Sequence, residues 1–254
     1  MIARWFLALF SLLFSFSAFA DGGKLIVGTT SGYAPYVSLN EKGDYEGFDI
    51  DLARLVAERL NRKLVLQDLG SMPSLLVALK KNKIDAIIWA MSITEDRRKE
   101  MEMIYYQGEI ITTMPFIFWK EAPKGVAKIE DLGKVPNCKI CVEAGSYQDT
   151  VLQKHPSLKL RFLDKISDGL MEVKYGKALS ATVDNSLIPR IQSQYPELKV
   201  LYLPLAENER NLGNGVCINK ENKQLITQVS KVVADLTKEG KIAELEKKWN
   251  LGSN

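Results

Sequence analysis

The chain reads as an α/β protein of two lobes, each a mostly parallel sheet flanked by helices. Three observations predict this. From Lys24 onward, short apolar runs alternate with amphipathic ones, the pattern of parallel strands covered on both faces by helices. Two β-rich stretches, Glu109 to Trp119 and the glycine-punctuated Gly213 to Asn219, break that rhythm, and each reads as a crossing between lobes. A length of 254 residues suits one large or two modest domains, each able to bury a core. The expected division is a leader at 1–20, a first lobe from 21–112 plus 216–254, and a second lobe from 113–215.

In chain order, Arg4 precedes an apolar stretch from Trp5 to Phe19, and Ala18-Phe19-Ala20 has the small-x-small form of a signal-peptidase site. The stretch is short for a membrane span and reads as a cleaved secretory signal, so the mature protein is expected to be soluble and exported. Strands are expected at Lys24 to Gly28, Lys63 to Gln67, Ile84 to Ala90, Lys139 to Val142, Lys159 to Phe162, Leu179 to Val183 and Lys199 to Leu203. Between them, GFDIDLARLVAERL repeats Leu52, Leu55, Val56 and Leu60 at helical spacing. Asp49 is placed to cap that helix and Asp51 to favour its positive end. Pro73 to Lys80, Tyr147 to Lys154, Asp168 to Tyr175 and Asn185 to Gln194 read as further helices.

Composition excludes several functions. The formal net charge of +3 falls to +2 without Arg4, and lysines are scattered among acids, so no nucleic-acid surface is expected. Cys138 and Cys141 have C-x-x-C spacing but fall in an expected strand. Three extended residues span roughly 10 Å and point the two side chains to opposite faces, beyond disulfide reach. With Cys217 the expectation is three buried, inert thiols, and no metal or cofactor is implied. The single histidine, His155, precedes Pro156 at an expected helix end, where a surface role is expected.

In open α/β sheets, ligands gather beyond the carboxyl ends of the strands. Those ends carry Thr29, Thr30 and Tyr33, then Ser71 and Met72, then Trp89, Ala90 and Ser92 leading to Arg97. The second lobe contributes Glu143, Gly145, Ser146, Gln148 and Asp184. An arginine fork and helix-start amides suit a carboxylate, and an aspartate suits an ammonium group. Together they complement an α-amino acid.

The runs GFDIDLARLVAERL, KIDAIIWAMSITEDR and VEAGSYQDTVL, the Asp184 strand and the closing EGKIAELEKKWN resemble the periplasmic polar-amino-acid-binding proteins of ABC importers, and most of all the arginine-binding branch. The resemblance implies a type II two-lobed clamp, acting as a monomer, that closes on one amino acid and hands it to an inner-membrane permease. It implies that Arg97 and Ser92 hold the ligand carboxylate together with Ser146. Asp184 and the Ala90 carbonyl take the α-amino group, Tyr33 and Met72 flank the side chain, and Gln148 lines the second-lobe wall.

Selectivity is expected to rest on Glu143. A cationic side chain would pair with it, whereas glutamine would leave a desolvated carboxylate unpaired at a cost on the order of 2–5 kcal/mol. Trp89 offers a cation–π wall, and the Thr30 hydroxyl is a weak partner for a guanidinium. Asp49 and Asp51 are expected to serve the helix start rather than the ligand. Two rival readings are an exported dehydratase on the same fold, acting on a cyclic amino or keto acid, and a surface receptor module.

Overall fold

The structure is a computed structural model that describes residues 23–251 apart from 137, so the expected leader lies outside the described residues. The chain opens with β1 (Lys24–Thr29), the antiparallel pair β2 (Ser38–Leu39) and β3 (Tyr45–Glu46), and α1 (Phe48–Arg59). It continues through β4 (Lys63–Asp68), α2 (Met72–Lys80), β5 (Ala86–Ile87), α3 (Glu95–Glu100) and β6 (Glu102–Gln107). A crossing leads to β7 (Thr113–Trp119), α4 (Ile129–Leu132), β8 (Ile140–Glu143), α5 (Tyr147–Leu152), β9 (Leu160–Leu163) and α6 (Ile166–Lys174). Then come β10 (Ser180–Thr182), a 3-10 turn at Asn185–Leu187 running into α7 (Ile188–Gln194), and β11 (Leu198–Pro204). A second crossing returns to β12 (Asn214–Ile218), α8 (Lys223–Lys238) and α9 (Lys241–Lys248).

Two five-stranded sheets result, ordered β4-β1-β5-β12-β6 and β11-β7-β10-β8-β9. In the first, β1 pairs parallel with β4 and β5, while β12 runs antiparallel to both β5 and β6. In the second, β8 pairs parallel with β9 and β10, while β7 runs antiparallel to both β10 and β11. Each sheet therefore has four strands running one way and one reversed. The reversed strand is the one by which the chain arrives from the other sheet: β6 and β11 run out, β7 and β12 run back in. Both crossings consequently lie at the carboxyl ends of the parallel strands, where loops collect and ligands bind.

The crossings correct two expectations. Glu109 to Trp119 is not one β run, because 109–112 is linker and β7 begins at Thr113. Pairing of β12 with β5 and β6 brings the chain back into the first sheet at Asn214, ahead of the expected position 216. The two linkers are joined by a bridge between Ile111 and Asn211. Gly108 (φ +93°) and Gly213 (φ +95°) flank this bridge. A Cβ on Gly213 would sit 2.6 Å from Tyr105 Cε2 and 2.9 Å from the Gln107 carbonyl oxygen, so only glycine fits.

Helix α1 buries Phe48, Leu52 and Val56 against the first core, and α8 does the same with Leu225, Val229, Val232, Val233 and Leu236. Each such side chain contributes about 1.5–3 kcal/mol of burial. The start of α1 differs from expectation. Gly47 is its cap, at φ +132°, where a Cβ would strike the Tyr36 carbonyl at 2.0 Å, and Asp49 lies inside the first turn with no exposure. Asp51 receives Arg54, the Lys248 ammonium at 2.7 Å and the Trp249 indole N–H at 2.9 Å, and so ties the end of α9 to α1.

All three cysteines are free and buried, and burial pushes the Cys141 thiol up to about 11 and that of Cys217 up to about 12. Cys138 and Cys141 belong to different core clusters, although Cys138 lies just ahead of β8 rather than in the expected strand with Cys141. His155 departs from its expected surface role. Its ring is packed between Glu130 and Glu209, at 3.2 and 3.3 Å.

Candidate ligand-binding site

Three short helices aim the polar groups of the site. Thr94 caps α3 by accepting the Arg97 N–H at 3.2 Å, which turns the Arg97 side chain inward to 7% exposure, while Arg98 and Lys99 stay in solvent. Ser71 caps α2 and sets Met72 at the crest of the first lobe. Ser146 caps α5, accepting from the Asp149 N–H at 3.0 Å, and Asp149 in turn accepts from the Gly145 N–H at 2.8 Å. The Ser146 hydroxyl thus accepts from the helix and keeps its own hydrogen to donate.

The lobes meet at these ends. Arg97 Nη1 donates to the Ser92 carbonyl at 2.9 Å, and Nη2 reaches across to the Gly145 carbonyl at 2.8 Å. Lys154 and Asp96 lie 3.5 Å apart across the same cleft. A Cβ on Gly145, whose φ is +74°, would meet Met72 Cγ at 3.2 Å, so glycine permits the close approach. Between the lobes a small cavity is lined by Arg97, Ser92, Ser146, Ala90, Asp184 and Glu143. Tyr33, Met72, Trp89 and Gln148 supply its walls, so ten of the eleven expected residues surround one space. The eleventh, Thr30, borders an adjoining, more open cavity that shares Tyr33, Trp89 and Glu143 with the first. Asp68 shapes that rim by accepting the Ser31 and Gly70 N–H groups and the Tyr45 hydroxyl.

The hydrogen-bond inventory divides the cavity chemically. On the donor side stand the remaining guanidinium hydrogens of Arg97, the hydroxyls of Ser92 and Ser146, and the buried, unpartnered Trp89 Nε1. Ser92 Oγ is itself held by the Asn211 amide at 3.0 Å, which links it to the crossing. On the acceptor side, Asp184 Oδ1 takes the Ser186 N–H and hydroxyl, leaving Oδ2 open. The Ala90 carbonyl and the Glu143 carboxylate take no hydrogen bond and no ion pair among the described residues. Burial pushes Glu143 up to about 7, with Asp164 adding to the rise and Arg97 opposing it. Burial also lowers Arg97, and no carboxylate is salt-bridged to it among the described residues. A buried cation and two open carboxylates lining one cavity suit a ligand with charges of both signs.

Trp89 packs its ring 5.3 Å from Tyr33, which stacks on Tyr36 at 5.7 Å. Tyr33 also packs against the core of the second sheet and so spans the cleft. Two contributors escaped the sequence. Tyr147 borders the cavity and donates its hydroxyl to the Glu209 carbonyl, whereas in sequence it stands only as the first residue of an expected helix. Asp49, expected as a helix cap, instead accepts the Ala90 N–H at 2.5 Å and the Tyr106 hydroxyl at 2.8 Å.

The chain is similar in sequence and fold to known proteins over most of its length. The sequence profile of the bacterial extracellular solute-binding proteins, family 3, matches residues 25–252. The probable ABC transporter arginine-binding protein ArtJ of Chlamydia trachomatis serovar D is 34% identical over 234 residues, spanning 92% of this chain and 88% of the relative. Among solved structures, a mutant of ArgBP from T. maritima matches with a TM-score of 0.77 at 27% identity, over 91% of this chain and 96% of that one. An ancestral arginine-binding protein bound to arginine matches with a TM-score of 0.75 at 26% identity, over 89% of this chain and 98% of that one. With the profile matched over nearly the whole described chain, the protein belongs to the bacterial extracellular solute-binding proteins, family 3.

Proposed function

We propose that this protein captures a basic L-amino acid, arginine foremost, between its lobes and delivers it to an ABC permease in the inner membrane. The observation that carries the choice is Glu143, a largely buried carboxylate that makes no ion pair among the described residues and lines both cavities, with Arg97 bordering the first and Lys165 the second. A guanidinium there removes the cost of the unpaired charge, and a neutral side chain does not. Arg97, Ser92 and Ser146 take the ligand carboxylate, and Asp184 Oδ2 with the Ala90 carbonyl takes the ammonium. Because the carboxylate draws groups from both lobes, ligand favours the closed form. Residues 1–20 act as a cleaved export signal, and the mature protein works in the periplasm as a monomer. The relatives are named as binding proteins, which leaves the dehydratase reading with less support.

The test is a melting scan of protein unfolded and refolded to strip carried-over ligand, against a panel of L-amino acids. Ligand at about 1,000 times its dissociation constant stabilises by roughly 4 kcal/mol, a clear shift. Shifts confined to arginine and lysine support the assignment. Equal shifts with glutamine keep the clamp and overturn the role of Glu143.

A further inference from the structure

Ala90 holds an unusual backbone. Its φ of +42° lies in the left-handed region, which alanine enters at a cost of roughly 1–2 kcal/mol, and it does so at the edge of the ligand cavity. The Asp49 carboxylate opposes that strain: 41 residues earlier in the chain, it accepts the Ala90 N–H at 2.5 Å. Its second oxygen is fixed by the Tyr106 hydroxyl at 2.8 Å. Asp49 and Tyr106 are both buried, and no cation pairs with Asp49 among the described residues. A carboxylate kept in such surroundings with two hydrogen-bond donors is costly unless its placement serves something. It fixes the Trp89–Ala90 peptide, and the positive φ of Ala90 then sets the direction of the following plane, whose Ala90 carbonyl takes no hydrogen bond among the described residues.

We infer that Asp49 is a positioning residue for ligand recognition: it holds Ala90 in the left-handed conformation that turns the Ala90 carbonyl toward the ligand's α-ammonium group. This rests on the proposed orientation of the amino acid, with its ammonium at Ala90 and Asp184. Asp49 touches no ligand itself. The Ala90 N–H needs an acceptor at this position, and an asparagine could still supply one while turning its NH₂ to the Tyr106 hydroxyl oxygen, so alanine is the substitution that removes the contact.

The test compares the affinity for arginine with that for its des-amino analogue, 5-guanidinopentanoic acid, by titration calorimetry. Wild type is expected to prefer arginine by about a hundredfold or more, the range for removing one partner of a desolvated charge pair. In Asp49→Ala that preference falls at least about tenfold, while binding of the analogue is kept, and an unchanged preference overturns the inference. Glycine at position 90 adopts the left-handed conformation without strain, so the Asp49→Ala/Ala90→Gly double variant regains a substantial part of the preference relative to Ala90→Gly alone. If Asp49→Ala does not fold, the double variant is measured in its place. Equal loss of both ligands, no recovery with glycine, or failure of both variants to fold assigns Asp49 to the core and overturns the inference. A wild type that does not discriminate the two ligands refutes the proposed orientation, and the inference with it.

Discussion

Lowering the pH from 8 to 5 should weaken arginine binding through Glu143, and the size of the effect follows from its surroundings. Burial raises this carboxyl to about 7 in the free protein, so below pH 7 it is mostly protonated. Pairing with a guanidinium requires the ionised form, so binding below pH 7 must first expel that proton. Each pH unit costs about 1.36 kcal/mol, or tenfold in affinity, and two units give roughly 2.7 kcal/mol, a loss of about a hundredfold at pH 5. Above pH 8 the curve is flat, since the group is already ionised. Glutamine should follow the opposite trend, because a neutral Glu143 is the better neighbour for an amide. Calorimetric dissociation constants at pH 5, 6, 7 and 8 measure both. Asp49 is also raised to about 7 by burial, so the Glu143→Gln variant is the essential control. Any slope that survives in it belongs elsewhere. Arginine affinity that stays within about threefold from pH 5 to 8, or a slope unchanged in Glu143→Gln, would refute this account of selectivity.

Other perturbations test separate parts of the structure. Arg97→Ala should weaken every amino acid by about a thousandfold, since the buried cation facing the carboxylate is lost, and titration with arginine and lysine checks this. Gly213→Ala forces a Cβ to 2.6 Å from Tyr105 at a positive φ, and should lower stability by about 1–3 kcal/mol in a denaturant melt. Asp51→Ala releases Lys248 and Trp249, so amide hydrogen exchange in α9 should quicken while the cores of both sheets stay protected.

Most of the fold was legible because its strands are short apolar runs and its helices carry one apolar stripe. Where sequence reading failed, a distant contact had decided the local outcome. The expected strand Ile84 to Ala90 contracts to Ala86–Ile87 as β5, and Asp49 holds Ala90 in a left-handed turn that no strand pattern reveals. Strand β6 was missed because it follows directly on α3 and alternates imperfectly, burying Met103, Tyr106 and Gln107. Within the site, Arg97, Ser92 and Ser146 announce themselves as helix-start groups. Asp49 does not, since its function depends on a backbone amide 41 residues away, and a leading aspartate in a helix looks the same whether it caps the helix or not. His155 likewise reads as a surface residue until Glu130 and Glu209 close around it.

The reversed strand in each sheet also dictates an order of assembly. The second sheet is built from one continuous stretch, β7 through β11, and can form as soon as that stretch is available. The first sheet waits for β12, which sits between β5 and β6 and arrives more than a hundred residues after them. Closing so long a loop carries an entropic cost that falls once the intervening lobe has collapsed into a compact body with neighbouring ends. A chain emerging amino-terminus first would therefore complete its later lobe before its earlier one. The amino-terminal half would stay open during passage across a membrane, and the ligand cleft would come into being only with the last quarter of the polypeptide.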